Sequence, residues 1–301
     1  MLSGQKILLT GPTSQVAFPI ARALAATNEV HGLARFSKAA DRARCEAIGL
    51  CCHAVDLATG ALDALPADFD VVLNFAVVKS GDFAYDLAAN AEGAGRLLAH
   101  CRRARAFVHA SSGGVYQPQG QTPLAESAPL ADNHRGLFPT YSISKIAAET
   151  VVRFASKQFG VPATIARLSV PYGDNGGWPA FHLMMMQAGH AIPLHPDRPN
   201  VFNLLHEDDY TAQLPRLVEI ASVGATTLNW GGSETASIEE WCAWLGELTG
   251  LEARFTEAPN AIPPLPLDLS RQHELVGRTT VGWRDGIRRQ VAARAPQLLR
   301  R

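Results

Sequence analysis

Short apolar runs alternate with longer amphipathic ones through the first half of this chain, and that alternation leaves few folds open. Lys6 to Thr10 (KILLT), Glu29 to Ala34, Cys51 to Val55, Val71 to Phe75 and Phe107 to Ala110 have the length and composition of strands buried on both faces. Between them, Val16 to Ala26, Lys38 to Ile48 and Tyr85 to Arg103 repeat apolar residues at helical spacing. A strand followed by a helix, repeated, requires a parallel sheet, because parallel neighbours need a long crossover and the crossover is right-handed. The fold class expected is α/β, a doubly wound parallel sheet (Rossmann fold) that binds ligands at the carboxyl ends of its strands.

Beyond Pro118 a loop rich in Pro, Gly, Asn and Asp reaches Pro139, followed by a strong helix, Thr140 to Phe159, and a sixth strand, Ala163 to Leu168. From Pro171 onward, loops mix with helices at Ala180 to Ala188, Asp208 to Ser222 and Ser237 to Thr249. Residues 1–170 are therefore expected to form the dinucleotide-binding domain. Residues 171–301 are expected to form mainly a small substrate-binding lobe, interleaved with the sheet.

Composition narrows the partners. With 47% hydrophobic and 18% charged residues among 301, the chain can bury a core large enough to offset its ordering entropy. Its 27 basic and 28 acidic side chains leave a net charge of -1, so neither nucleic acid nor a membrane surface is attracted by charge, and a small molecule is the expected substrate. No apolar run approaches the roughly 20 residues that cross a bilayer, and the apolar stretch within Met1 to Thr10 is short for a signal peptide, so a cytoplasmic location is expected. Cys45, Cys51, Cys52, Cys101 and Cys242 show no Cys-x-x-Cys spacing and read as reduced residues. The spacings of His182, His190 and His195 do not place three ligands on one helix face, so no metal is expected.

Three residue sets carry chemistry. In Thr10-Gly11-Pro12-Thr13-Ser14-Gln15-Val16-Ala17, where the first strand turns into the first helix, a glycine lets the backbone approach a pyrophosphate resting on the helix N-terminus. Only Gly11 is glycine; Ser14 and Ala17 take the other two places, and Ser14 can cap the helix. An ordinary strand-helix turn reads the same way. The second set, Tyr141-Ser142-Ile143-Ser144-Lys145, places a phenol and an ammonium on one helix face, where the cation would favour the phenolate; a solvated pair is the plain alternative. The third, Ser111-Ser112-Gly113-Gly114-Val115-Tyr116, puts hydroxyls just past the fifth strand, able to polarise a substrate oxygen or merely to form a turn.

In this order the three sets resemble the extended short-chain dehydrogenase/reductase family (the NAD(P)-dependent epimerase/dehydratase family). So do Asp56-Leu57, Asn74-Phe75-Ala76, Asn90, Arg167, Pro171-Tyr172-Gly173 and His206-Glu207-Asp208-Asp209. The resemblance implies Tyr141 as acid/base, Lys145 as the holder of the nicotinamide ribose and tuner of the tyrosine, and Ser112 as the substrate-orienting hydroxyl. It further implies a cofactor wall of Gly11, Thr13, Ser14, Gln15, Val16, Asp56, Leu57, Phe75, Ala76, Val77, Asn90 and Val170, and a homodimer through the helices around Tyr85 to Arg103 and Thr140 to Phe159.

Arg35, at the end of the second strand with Ser37 and Lys38 behind it, stands where an acidic residue would accept from the ribose of NAD. It suits the 2'-phosphate of NADP, which makes NADP the favoured cofactor and NAD the alternative. Two departures bear on the substrate. Gly113 and Gly114 stand where dehydratases of the family carry acidic residues, so water elimination lacks its acid/base pair. Val170 and Phe202 stand where nucleotide-sugar members carry an Asn and an Arg for the diphosphate, with His195, Arg198 and Asn200 as nearby substitutes. The expected substrate wall is Ser112, Gly113, Tyr172, Trp178, Phe181, Met185 and Phe202, apolar enough for an aromatic or aliphatic carbonyl compound. The expected function is an NAD(P)-dependent oxidoreductase interconverting a secondary alcohol and a carbonyl. A sugar epimerase with retained NAD and a non-catalytic NAD(P) sensor are the alternatives.

Overall fold

In the computed structural model, which describes residues 2–300, the first strands form where the apolar runs predict them: β1 (Lys6–Thr10), β2 (Glu29–Ala34), β3 (Cys51–Ala54), β4 (Val71–Asn74) and β5 (Ala106–Ser112). α1 (Ala17–Ala25) and α2 (Ala39–Glu46) match the predicted helices to within two residues at each end. The region expected as one helix from Tyr85 to Arg103 is divided into α3 (Phe83–Leu87), a single π-helical turn (Ala88–Glu92) and α4 (Gly93–His100). The π turn carries Asn90, whose amide is bonded to the backbone of Val78 rather than lying along a regular helix face.

α5 (Tyr141–Phe159) ends at Gly160 in the left-handed conformation, as helices commonly do, and leads into β6 (Ala163–Leu168). After it come β7 (Val170–Gly173), β8 (Gly176–Gly177), α6 (Trp178–Gln187), β9 (Ile192–Leu194), β10 (Val201–Phe202), β11 (Leu204–His206) and α7 (Glu207–Glu219). β12 (Thr226–Trp230), β13 (Ala236–Ser237), α8 (Ile238–Thr249), β14 (Phe255–Glu257), α9 (Ser270–Leu275) and α10 (Trp283–Arg294) complete the chain. β12, α9 and α10 have no counterpart in the sequence expectations.

The central sheet is wholly parallel, in the order β12-β6-β5-β4-β1-β2-β3. Strand order reverses between β1 and β4, and such a switch point opens a crevice at the carboxyl edge. One face is covered by α1 and α7, which pack on each other, and the opposite face by α4 and α5. β12, although drawn from the C-terminal part of the chain, pairs with β6 as the seventh strand, so the two parts interleave. Apart from α9, which packs on β12, the remaining C-terminal elements build a separate apolar core around Trp241, Tyr172 and Phe202, over the carboxyl edge of the sheet.

Behind that edge lies a buried polar network. Ser111, which alternation turns away from Ser112, donates to Glu149 on α5 (2.6 Å), and Arg167 on β6 grips the same carboxylate through Nε (2.9 Å) and Nη2 (2.8 Å). Arg167 also donates to the Tyr116 hydroxyl (3.0 Å), which donates to Asn229 on β12 (2.5 Å), the residue paired with Arg167 in the sheet. Burial pushes the Glu149 carboxyl up, but the hydrogen bonds and charge of Arg167, helped by Ser111 and Arg153, outweigh it and hold the group below its usual range.

Candidate active site

The switch-point crevice holds two cavities that meet at Val77, of 190 Å³ and 250 Å³. The first lies where β1 turns into α1. Gly11 has φ +69°, and a Cβ there would fall 2.9 Å from Ala76 Cα, so no other residue fits. Thr10 fixes that approach: its hydroxyl donates to Asn74 (2.7 Å) and accepts from the amides of Phe75 (3.0 Å) and Ala76 (2.9 Å). The Ser14 hydroxyl accepts from the Ala17 amide (3.1 Å), capping α1 from the place of the missing glycine.

Gly11, Thr13, Ser14, Arg35, Asp56, Leu57, Phe75, Ala76, Val77 and Asn90 all line this first cavity. At its outer end Arg35 donates to the Tyr85 hydroxyl (3.0 Å), which donates to Asp56 (2.7 Å), so the guanidinium and the carboxylate are joined through one phenol. Tyr85 and Asp41, which also lines the cavity, were not among the expected residues. Asn90 accepts from the Val78 amide (2.8 Å) and donates to the Val78 carbonyl (2.7 Å) and Ser144 (3.1 Å), buckling the loop after β4 to α5. Gln15 and Val170 belong to the second cavity instead, with Gln15 donating to the Pro171 carbonyl (3.1 Å). Val16 packs into the core beneath α1.

The second cavity brings Ser112, Gly113, Tyr141, Trp178 and Phe202 together. Ser112 ends β5 and accepts from the Gly114 amide (3.0 Å). Burial pushes the Tyr141 phenol up, and the Ser112 hydroxyl acts in the opposite sense. Lys145, one turn along α5, donates to the Ala110 carbonyl (2.7 Å), and burial lowers it to about 8. Desolvation dominates the Tyr141 phenol in this arrangement, while the Lys145 ammonium is committed to a backbone carbonyl.

The other expected wall residues lie elsewhere. Tyr172 is fully buried, its hydroxyl directed at the Trp283 carbonyl (3.5 Å). Phe181 is exposed over a neighbouring apolar cavity, and Met185 packs on the cap core. Of the substitute diphosphate donors, Asn200 is buried and uses its side chain to hold its own loop, on His195 and Asp197.

Among the lining residues that sequence reasoning missed, Lys79 and His134 carry ionisable groups. Lys79 stands 4.0 Å from the centre of the Phe138 ring and is the cation among the described lining residues. His134 comes from the loop before α5, and its ring stands edge-on to Tyr141, with centroids 5.3 Å apart. A Cβ on Gly114 would lie 2.0 Å from its Cε1, so the imidazole fills the room that a side chain at Gly114 would need. The sole trace in the sequence was Gly114 itself.

Burial holds three imidazoles neutral: His134 and His182 are lowered to about 4, and His109 to about 3. A histidine depressed in the folded state contributes stability that is present above its unfolded pKa of about 6.5 and is lost as pH falls toward the folded value. Each costs roughly 1.4 kcal/mol per pH unit below 6.5. The melting temperature is therefore expected to drop steadily between pH 6.5 and 4.5; a level profile across that window in thermal unfolding would show that these rings are hydrated.

The arrangement is that of a doubly wound, dinucleotide-type α/β protein with Ser, Tyr and Lys gathered where the strand order reverses. The chain belongs to the NAD dependent epimerase/dehydratase family, whose model it matches over residues 7–220. Among solved structures, UDP-glucuronic acid 4-epimerase from Bacillus cereus, in complex with UDP-glucuronic acid and NAD, superposes with TM-score 0.81 at 22% identity, covering 96% of this chain and 98% of that one. DesIV, a dTDP-glucose 4,6-dehydratase from Streptomyces venezuelae with NAD bound, does so with TM-score 0.81 at 22% identity, covering 96% of each chain. Among curated proteins, the trifunctional UDP-glucose 4,6-dehydratase/UDP-4-keto-6-deoxy-D-glucose 3,5-epimerase/UDP-4-keto-L-rhamnose-reductase RHM1 of Arabidopsis thaliana is 31% identical over 139 residues, 42% of this chain. A dTDP-glucose 4,6-dehydratase of Xanthomonas campestris is 28% identical over 148 residues, 46% of this chain. The matches span 20% of the first of these proteins and 39% of the second.

Proposed function

We propose that this protein is an NAD(P)-dependent oxidoreductase that interconverts a secondary alcohol and a carbonyl. The observation that carries the reading is the meeting of Ser112 and Tyr141 in a cavity continuous with the Gly11 cavity, with Lys145 one turn along the same helix. The first cavity fits a dinucleotide: Gly11 leaves room for close backbone approach, and Arg35 and Asp56 stand at the outer end. When bound, the nicotinamide would supply hydride acceptance and donation. Tyr141 would hold and move the proton at the substrate oxygen, Ser112 would donate a hydrogen bond to that oxygen, and Lys145 would hold the ribose next to Tyr141.

His134, neutral at physiological pH, stands where the resemblance puts dehydratase carboxylates, which favours carbonyl reduction or alcohol oxidation over water elimination. The wall of Phe138, Val170, Trp178, Phe202 and Ile262 suits an apolar substrate, with Lys79 available to a single anionic group. Residues 1–170 would serve the cofactor and 171–301 mainly the substrate. The relatives support the alternative of a sugar epimerase that retains NAD. Denaturing the purified protein and extracting its cofactor separates the two: freely exchanging cofactor is expected, and stoichiometric retained NAD would overturn the oxidoreductase reading in favour of the epimerase. A cytoplasmic homodimer built through α4 and α5 fits the exposed Phe154 on α5.

NADP is the proposed cofactor, because Arg35 and Ser37 line the adenine end of the cavity while Ala34 ends β2 without a carboxylate; Asp41 is the group that opposes this choice. A charge-assisted pair with a phosphate is worth roughly 1.5–3 kcal/mol, about one to two decades of affinity. Calorimetry is expected to show NADPH binding tighter than NADH, with Arg35→Ala weakening NADPH alone by about that factor. Equal affinities that ignore the substitution would sink the assignment.

A further inference from the structure

At the edge of the sheet farthest from β12, β2 and β3 place His31, Cys51 and His53 on one face. The parallel register sets His31 beside Cys51 and Leu33 beside His53, and alternation then puts all three side chains on the same side. His31 Nδ1 lies 2.8 Å from His53 Nε2, Cys51 Sγ lies 3.6 Å from the same nitrogen, and the three donor atoms all fall within 4.8 Å of one another. Tetrahedral zinc with ordinary bond lengths spaces two imidazole nitrogens about 3.3 Å apart and a nitrogen and a thiolate about 3.6 Å apart. The Cys51–His53 edge already has that length; the histidine rings, coplanar to within 8° and meeting nitrogen to nitrogen, need to open by about half an ångström and rotate so that both lone pairs converge on one ion. The far nitrogen of His31 meets the Glu29 carboxylate at 2.7 Å, the outer contact that fixes a ligating imidazole with its lone pair toward a metal. Lys6, 4.0 Å from the same carboxylate, keeps Glu29 in that outer role.

We propose that His31, Cys51 and His53 form a binding site for one zinc-class divalent cation, with Glu29 orienting His31 and water completing the tetrahedron. Without an ion, Glu29 accepts from His31 Nε2–H and His31 Nδ1 accepts from His53 Nε2–H. Binding moves the His53 proton to Nδ1, releases the Cys51 thiol proton to solvent and forms two metal–nitrogen bonds and one metal–sulfur bond. The ion would cross-link the two strands whose ends lead to Arg35 and Asp56, at the wall of the first cavity.

The test is direct titration of the purified full chain, with Zn2+ followed by calorimetry and Co2+ by visible absorption. One equivalent per chain is expected, with the intense tetrahedral d–d bands and thiolate-to-cobalt charge-transfer band of a sulfur-ligated site. Cys51→Ser removes the charge-transfer band, and both Cys51→Ser and His53→Gln weaken Zn2+ by at least about tenfold. His190→Gln, at an exposed position remote in sequence, leaves both readouts unchanged. Cys51 is exposed and His53 half-buried at a sheet edge, so these variants keep the fold, which circular dichroism verifies. Absence of the cobalt–thiolate band, or equal Zn2+ affinity in wild type and variants, overturns the site and leaves a plain Glu29–His31–His53 hydrogen-bond chain. No readout depends on turnover, so either result leaves the reading of Tyr141 untouched.

Discussion

Tyr141→Phe is expected to lower turnover by roughly 10²–10⁴-fold, the usual contribution of a positioned acid/base, while cofactor affinity stays within about twofold. The substitution deletes one oxygen and keeps the ring, whose packing against His134 and Phe138 is edge-on and tilted and needs no hydroxyl. Burial already favours the protonated phenol, so the group starts as a donor, and the reaction in the reducing direction uses it in that form. The measurement is single-turnover oxidation of bound reduced cofactor by a carbonyl substrate, beside cofactor titration of the same variant. Unchanged turnover with intact binding would remove Tyr141 from the chemistry.

The second large effect concerns stability. Arg167→Leu is expected to destabilise the fold by about 3–5 kcal/mol, because it strands the fully buried Glu149 carboxylate with only Ser111 and the half-buried Arg153 as partners. That is a large part of the 5–15 kcal/mol typical of a folded domain. Removing both charges, Glu149→Leu with Arg167→Leu, should recover much of the loss, since paired deletion leaves no unpaired charge. Chemical denaturation of the single and double variants measures the coupling. A single-variant cost under about 1 kcal/mol would mean that water reaches Glu149 once the guanidinium is gone. The sign of the pH effect follows as well: the Glu149 carboxyl is held below its usual pKa, so the wild-type contribution is present above about pH 4.5 and is lost as pH falls through the lower folded value.

The sheet and its cofactor edge were legible because they rest on short-range regularities. Buried strands such as Val71–Asn74 are continuous apolar runs, and a strand-helix repeat has one right-handed solution. Gly11 was legible for a local reason too, since a left-handed residue packed on the next strand tolerates no side chain. Tyr141 and Lys145 share a helix face by spacing alone.

What spacing leaves open is which long-range neighbour claims each group. The ammonium of Lys145 on α5 lies on a carbonyl of β5, and Tyr172 turns from the expected wall into the cap because α10 closes over it at Gly286. Asn90 sits in a π turn, since its amide bonds to a loop twelve residues away, and no periodicity encodes that. His134 reaches Gly114 from twenty positions downstream, and His31 meets His53 across two strands. Periodicity reports which face of an element is buried, because burial is an average over many weak contacts. Hydrogen bonds, proton positions and ligand sets depend on single atoms a few ångströms apart, and only the packing of distant segments brings those atoms together.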